Sequence, residues 1–312
     1  MYTFNARVTV GRYVMPTLHD LELTSSWQAL GDSGRVRLPG LRHKLENLLK
    51  AGDPIKIECG YNGQYATEFD GYVAEVLPNV PFELRLEDES YWLKRQTTSG
   101  SWQSTTLKAV LAHIYPGVVS KDVPDVTLAP FRIGPGSSKF KVLERLKEEY
   151  GLTVYFRGKT LYAGLAYSER RATETVVYHL QKNVAGSDLT FRRAADMRLG
   201  VKAISVLANN TSFNAHVGDT DGDQLTLHFY NVTTKAALEA LAKERIAGMK
   251  FDGYRGSLTA FGWPRVEHGQ AALILDDLYP QRRARVFVDQ VRTTVSKSGG
   301  FRRQITLGRK AD

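Results

Sequence analysis

The chain has 312 residues, of which 42 are Lys or Arg and 33 are Asp or Glu, so its formal charge is +9. This length favours two or more domains with enough apolar surface to fold without disulfides or a structural metal. Cys59 is the single cysteine, which excludes an intrachain disulfide framework and a paired-cysteine metal site and favours a reducing compartment.

The first ten residues alternate polar and apolar side chains and lack the continuous apolar core of a cleaved signal peptide. No segment approaches the roughly 18 apolar residues that span a bilayer. We therefore expect neither secretion by a cleaved signal nor a membrane anchor.

The N-terminal third has period-two alternation, which predicts β-strands. The predicted strands are residues 3–14, 34–38, 53–59, 69–77 and 82–87. One short helix is predicted where Leu41, Leu45, Leu48 and Leu49 recur at helical spacing before Gly52. We assign residues 1–98 to a first small β-barrel.

The pattern changes near residue 100. Ser104-Thr105 is predicted to cap a helix that runs to about Ile114, and Ser137-Ser138 to precede a second helix that ends near Gly151. Residues 152–163 read as a hairpin. Residues 99–174 are therefore predicted to form an α+β insertion domain.

The β pattern resumes at Thr175 and is interrupted by one predicted helix at about residues 233–249. We assign residues 175–312 to a second β-barrel. The predicted fold class is mainly β, with two small β-barrels and a helix-containing middle domain.

The two β-rich ends show an approximate internal repeat. Three segments match in order: 52–57 with 269–274, 69–76 with 287–291, and 82–86 with 301–307. Identity between the copies is low, and chance similarity is the alternative. A true repeat predicts two related barrels joined by the α+β domain.

Several of these segments resemble phage tail hub proteins of the late control protein D type. They include Gly52-Asp-Pro-Ile-Lys-Ile, Phe69-Asp-Gly-Tyr-Val-Ala-Glu-Val, Glu87-Asp-Glu-Ser-Tyr-Trp-Leu-Lys, the stretches 106–114 and 143–162, Gly256-Ser-Leu-Thr-Ala-Phe-Gly-Trp-Pro with His268-Gly269, and Gly300-Phe-Arg-Arg-Gln-Ile-Thr-Leu-Gly. These motifs occur in the family's order and cover nearly the whole chain. Each is short and degenerate, and none is a catalytic fingerprint.

The resemblance implies a structural role without enzymatic activity. Hubs of this type carry two tail-tube-like β-barrels per subunit and form homotrimeric rings, which join a six-fold tail tube to a trimeric spike or tail-tip protein. Other baseplate proteins would be further partners, and DNA would only pass through the channel. The expected location is the virion tail or baseplate, assembled in the host bacterial cytoplasm. Only residues 309–312 follow the last predicted strand, so a spike or lysozyme domain would be a separate chain or absent.

The residues themselves predict no catalytic, cofactor-binding or metal site. The seven histidines form neither an HExxH motif nor a triad signature, and no Gly-x-Ser-x-Gly elbow occurs. Asp219 to Asp223 lacks the spacing of a calcium loop and is predicted to be a hairpin turn between residues 213–217 and 225–230. The alternative function is a tail-tip cell-wall hydrolase.

The excess charge is concentrated at the C-terminal end. Residues 281–312 contain nine basic and two acidic side chains, whereas residues 52–87 contain seven acidic and two basic ones. Alternation is predicted to turn Arg283, Arg285, Phe287 and Asp289 outward from one strand. We predict that some of five arginines pair with carboxylates of a neighbouring subunit or of the tube: Arg282, Arg283, Arg285, Arg302 and Arg303. A basic nucleic-acid-binding module is the second alternative.

Overall fold

The structure is a computed structural model that describes residues 3–39, 48–128, 130–150, 152–164, 175–207, 211–230 and 232–311. The helix predicted within residues 41–49 lies largely outside the described residues. The described chain is mainly β with short helices, so the predicted fold class is confirmed.

The N-terminal part contains seven strands among the described residues. They are β1 (Phe4–Val10), β2 (Tyr13–Met15), β3 (Asp20–Ser26), β4 (Ser33–Leu38), β5 (Pro54–Tyr61), β6 (Gln64–Leu77) and β7 (Phe82–Glu87). Their side chains alternate as a half-buried strand requires: Ile55, Ile57 and Cys59 of β5 are buried while Lys56 faces outward.

The middle unit packs three helices against short strands around its own apolar cluster. Its elements are α1 (Ser90–Arg95), β8 (Thr97–Trp102), β9 (Thr105–Thr106), α2 (Leu107–Ile114), β10 (Val118–Val119), β11 (Thr127–Leu128), β12 (Phe131–Ser138), α3 (Lys139–Tyr150), β13 (Thr153–Arg157) and β14 (Thr160–Gly164). The predicted hairpin is observed as β13 and β14.

The cap of α2 differs from the prediction. Thr106, rather than Ser104 or Thr105, accepts a hydrogen bond from the Ala109 backbone N–H at 3.2 Å. The reason is that Thr105 and Thr106 pair with β11, so the backbone stays extended through Thr106. The second predicted cap is correct, since the Ser138 hydroxyl accepts from the Lys141 N–H in α3.

The C-terminal part returns to strands. Its elements are β15 (Thr175–His179), β16 (Val184–Arg192), β17 (Leu199–Val206), β18 (Ser212–Gly218), β19 (Asp223–Tyr230), α4 (Lys235–Met249), β20 (Gly253–Phe261), β21 (Ala271–Leu275), β22 (Ala284–Ser296) and β23 (Gly300–Lys310). The helix predicted at about 233–249 is observed as α4.

Thirteen of the described strands form one sheet that contains two sets of six strands with the same order. The first set, which we call the first β-module, runs β1-β5-β6-β7-β4-β3. The second β-module runs β15-β21-β22-β23-β20-β16. Numbered by sequence within its own module, each set has the order 1-4-5-6-3-2. The repeat predicted from sequence is therefore also a repeat of strand order. One direction differs, because β1 pairs antiparallel with β5 whereas β15 pairs parallel with β21.

The two β-modules are joined directly. Strand β3 of the first module pairs antiparallel with β22 of the second, from Ser26 opposite Gln290 to Leu21 opposite Val295. The sequence suggested that the α+β unit joins the modules. The structure shows instead that backbone hydrogen bonding between β3 and β22 joins them, while the middle unit packs beside this joint.

The predicted hairpin around residues 219–223 is wrong. Strands β18 and β19 lie on opposite sides of β17, antiparallel and parallel to it respectively, and form a small sheet against α4. The Asp219 carboxylate accepts hydrogen bonds from the Leu199 N–H at 2.9 Å and from Lys250 Nζ at 2.6 Å. These donors hold Asp219 in a crossing loop and lower the pKa of its carboxyl.

Candidate functional site

The joint between the two β-modules combines polar and apolar contacts from both halves of the chain. The hairpin of β22 and β23 extends past its own module, so that Val295 and Phe301 are buried in the apolar cluster of the first module. The ring of Phe301 lies 5.5 Å from Phe4 and 5.8 Å from Tyr61, measured between centroids. The tip of the hairpin therefore contributes to its neighbour's core.

A buried ion pair lies in the same joint. Arg303 Nη2 is 2.6 Å from Glu68 Oε1, and both side chains are 2% exposed. The guanidinium also donates to the Thr293 hydroxyl at 3.0 Å and to the Gly262 carbonyl at 2.9 Å. These contacts satisfy the charge of Arg303 on three sides and connect the second module to the first.

Arg303 is thus placed inside its own chain and not on an outer surface. Period-two spacing is the signal that identifies it, because Arg303 shares a face with Phe301, Ile305 and Leu307, all of which are buried. Its partner Glu68 follows no comparable pattern in the sequence, since it lies where β6 shifts register against β5.

Further contacts at the outer side of the joint were not predicted from sequence. Arg292 donates from Nε and Nη2 to Glu22 Oε1, at 3.1 and 2.7 Å, and Arg35 reaches the other oxygen of Glu22. Trp27 Nε1 donates to Asp289 Oδ1 at 3.0 Å. Arg292 and Arg303 of the second module therefore each meet a carboxylate of the first module within the chain.

The other four predicted arginines are dispersed around the second module. Arg282 lies over the rings of Tyr279 and Phe191, Arg283 is exposed, Arg285 Nε donates to Thr175 Oγ1 at 3.0 Å, and Arg302 lies over Phe261. Their role at a partner interface stays a prediction.

The outward face predicted for β22 needs one correction. Phe287 is 6% exposed and packs with Ala271 and Ala311, under the guanidinium of Arg309. The reason is that Ala311 and the guanidinium of Arg309, near the end of the chain, cover the ring that alternation alone assigns to solvent.

A second polar cluster lies where both β-modules meet the middle unit. Asp88 Oδ2 accepts from the Asp32 N–H at 2.7 Å, and its Oδ1 accepts from the Ser90 N–H at 2.9 Å. Arg157 of β13 donates to Glu267 of the second module at 3.1 Å. Burial raises the pKa of Asp88 from its usual 3.8 to about 6, and burial with the nearby Asp88 charge raises the pKa of Asp32.

This cluster predicts a pH dependence of stability. An acid whose pKa is higher in the folded than in the unfolded chain stabilises the fold at low pH, and that contribution is lost as pH rises from about 4 to about 6. Replacing Asp88 with Asn removes it. We expect the variant to gain about 1 kcal/mol relative to the parent between about pH 5 and about pH 7. Urea unfolding of both proteins at the two pH values measures this gain. If the difference in unfolding free energy between variant and parent is the same at both pH values, the raised pKa assigned to Asp88 is wrong.

The described residues contain no group of three or more His, Cys, Asp and Glu side chains that is arranged to hold a metal ion. Across those same ranges, no helix is long and apolar enough to cross a membrane.

This chain is similar to known proteins in its fold. No protein-family profile and no curated protein matches the sequence. Among solved structures, a tail protein from Neisseria meningitidis superposes with a TM-score of 0.65 and 19% identity, covering 100% of this chain and 97% of that one. The 43 kDa tail protein of prophage MuSo2 from Shewanella oneidensis gives 0.62 and 15% identity, covering 98% and 97%.

This chain has a phage tail-protein fold. The resemblance to tail hub proteins is thereby confirmed for the fold. The same fold extends to an E. coli component of the type VI secretion system that is itself described as similar to the phage T4 tail proteins gp27 and gp5. That protein superposes with a TM-score of 0.59 and 11% identity, covering 98% of this chain and 77% of its own. The tail-protein fold therefore spans phages and an injection apparatus.

Proposed function

We propose that this chain is the structural hub of a phage baseplate or of a related contractile injection apparatus. Three copies form a ring with pseudo-six-fold symmetry that joins a hexameric tail tube to a trimeric spike or tail-tip protein. Its domains are then residues 1–98, 99–174 and 175–312. Its role is mechanical and not enzymatic.

The observation that carries this proposal is the repeated order of six strands in two modules that are paired edge to edge. A ring of three chains with two such modules each presents six similar surfaces, which is what a six-fold partner requires. A three-fold ring also provides three equivalent seats for a trimeric partner. Closed cyclic assemblies of this kind are the ordinary solution for oligomeric proteins.

The remaining partners follow from this position. Other baseplate proteins surround the ring, and DNA crosses its channel as cargo without sequence recognition. The assembly is part of the virion tail and is built in the cytoplasm of the host bacterium.

Native mass spectrometry of the purified chain tests the proposal. The expected species is a trimer, three times the 34.9 kDa of one chain. Negative-stain images of the same sample should show rings with a central channel. A chain that stays monomeric at the highest soluble concentration, or that forms dimers only, would contradict the hub assignment.

A further inference from the structure

The two β-modules share a set of backbone hydrogen bonds near the start of their fourth strands, β5 and β21. The Gly52 N–H donates to the Val73 carbonyl at 2.8 Å and the Val73 N–H to Asp53 at 2.9 Å. Gly269, Val288 and Gln270 repeat this pattern with the same distances, 2.8 and 2.9 Å. Both glycines have positive φ, 91° and 84°. Val73 therefore corresponds to Val288.

The strands that follow keep this correspondence. A register shift follows Val73 in β6 and Val288 in β22, after which Glu75 and Gln290 take equivalent places. Strands β3 and β16 also correspond: Leu23 pairs with Gly34 in the first module, as Leu189 pairs with Gly256 in the second. The short sequences Glu22-Leu-Thr and Asp188-Leu-Thr mark the same positions.

Only one of the two possible joints is formed within the chain. Strand β3 pairs with β22, but β16, which corresponds to β3, ends the sheet and pairs only with β20 among the described strands. Residues 75–77 of β6, which correspond to the start of the joined segment of β22, pair with β7 on one side and with no described strand on the other. Each chain therefore carries two strand edges that pair with no described strand, one along β16 and one along residues 75–77 of β6, and we call these edges half-joints.

The apolar residues at these half-joints are conspicuously exposed. In the filled joint, the hairpin tip places Val295 and Phe301 against Phe4 and Tyr61. The corresponding tip between β6 and β7 carries Val80, which is 96% exposed. Leu278 is 74% exposed and lies at the sequence offset that matches Tyr61. These are the two most exposed large apolar side chains among the described residues.

One pair of opposite charges meets across the two half-joints, and its acid, Glu75, also contacts Arg85 of its own chain at 2.9 Å with half of its side chain exposed. Transferring the register of β3 and β22 to β16 and β6 sets Arg192 opposite Glu75, Phe191 opposite Val76 and Thr190 opposite Leu77. Arg282 already lies over the Phe191 ring. Arg283 takes the place of Glu68, next to the same joint. Opposite charges across a joint set its register and exclude wrong pairings.

We infer that β16 of one copy pairs antiparallel with residues 75–77 of β6 in a second copy of this chain, while Val80 of the second copy packs beside Leu278 of the first. This inference rests on the proposed function and identifies the contact that closes the ring. Pairing at an open sheet edge supplies main-chain hydrogen bonds, and the side chains select the partner. The contact is heterologous, so its repetition generates a closed ring when the rotation fits.

Cysteine cross-linking tests the register. Residues directly opposite in antiparallel strands have Cβ atoms about 4.5–5.5 Å apart, whereas diagonal neighbours are about 7–8 Å apart. The Arg192→Cys, Glu75→Cys double variant should form disulfide-linked dimers and trimers on mild oxidation, in a ladder that ends at three. Cys59 does not interfere, because it is buried and burial raises the pKa of its thiol.

Matched variants make the result specific. The Arg192→Cys, Leu77→Cys pair is out of register by two residues and should cross-link weakly, and neither single variant should form disulfide-linked trimers. A trimer by native mass without the in-register cross-link would overturn this contact but leave the hub proposal intact. Absence of any trimer would overturn the hub proposal and this contact with it.

The apolar contact has its own test. Val80→Asp should weaken trimer formation about tenfold or more, because it replaces an apolar side chain that the contact buries with a charged one. The control is Val118→Asp, at a residue that is 63% exposed in the middle unit. Equal trimer dissociation constants for the two variants would count against the contact.

Discussion

Replacing Glu68 with alanine is expected to lower the free energy of unfolding by about 3–5 kcal/mol, because removal of one partner leaves a buried charge uncompensated. Arg303 donates to three acceptors in the joint, and Glu68 is the only carboxylate among them. Urea unfolding of the purified chain under dilute conditions measures the change. In the variant, proteases should also cleave at the joint before they cleave the middle unit.

Two further variants separate the ion pair from general effects of losing a carboxylate. Asp221→Ala removes the partner of Arg198 in a pair whose side chains are 61% and 69% exposed, and should cost less than about 1 kcal/mol. Glu68→Leu combined with Arg303→Met should recover most of the lost stability, because apolar replacements of a buried pair are often neutral. If Glu68→Ala costs no more than Asp221→Ala, the joint does not depend on this ion pair.

Replacing Phe301 with alanine is expected to destabilise the chain by about 3–5 kcal/mol, the usual effect of deleting a buried aromatic side chain. Phe301 is 3% exposed and fills space in the core of the first module although it belongs to the second. Its loss should therefore loosen the attachment of the two modules as well as the local packing. Thermal and urea unfolding measure the first effect, and hydrogen exchange at β3 and β22 measures the second.

Phe261→Ala is the matched control, since Phe261 belongs to the adjacent strand and is 40% exposed. It removes the same side chain from a site that is already in contact with water, so its cost should be well below that of Phe301→Ala. Similar costs for the two variants, or unchanged exchange at β3 and β22, would contradict the role assigned to the hairpin tip.

Local patterns in the sequence predict much of the fold. Alternation identifies strands such as β5 and β7, and the stripe of Leu107, Val110, Leu111 and Ile114 identifies α2 because a helix buries one face. The internal repeat is found in the same way, from short matched segments around Gly52 and Gly269. These features can be predicted because they depend on residues that are close together along the chain.

The joint could not be predicted by the same means. Pairing of β3 with β22 brings together residues more than 260 positions apart, and no local pattern specifies which strand edges meet. Arg303 shows the consequence: alternation places it on the buried face of β23, but no local pattern shows that Glu68, Thr293 and the Gly262 carbonyl meet its charge there. The hairpin predicted around Asp219 is wrong for the same reason, because β17 lies between β18 and β19, two strands that are neighbours in sequence.

The proposed ring is built from three chains that each contribute two equivalent β-modules. Cryo-electron microscopy of the purified oligomer tests it most directly. We expect a ring of three chains around a channel, with six similar β-modules at nearly equal spacing and with alternating joints, β3 to β22 within a chain and β16 to β6 between chains. Three chains joined through their middle units, or modules stacked without edge pairing between copies, would contradict it.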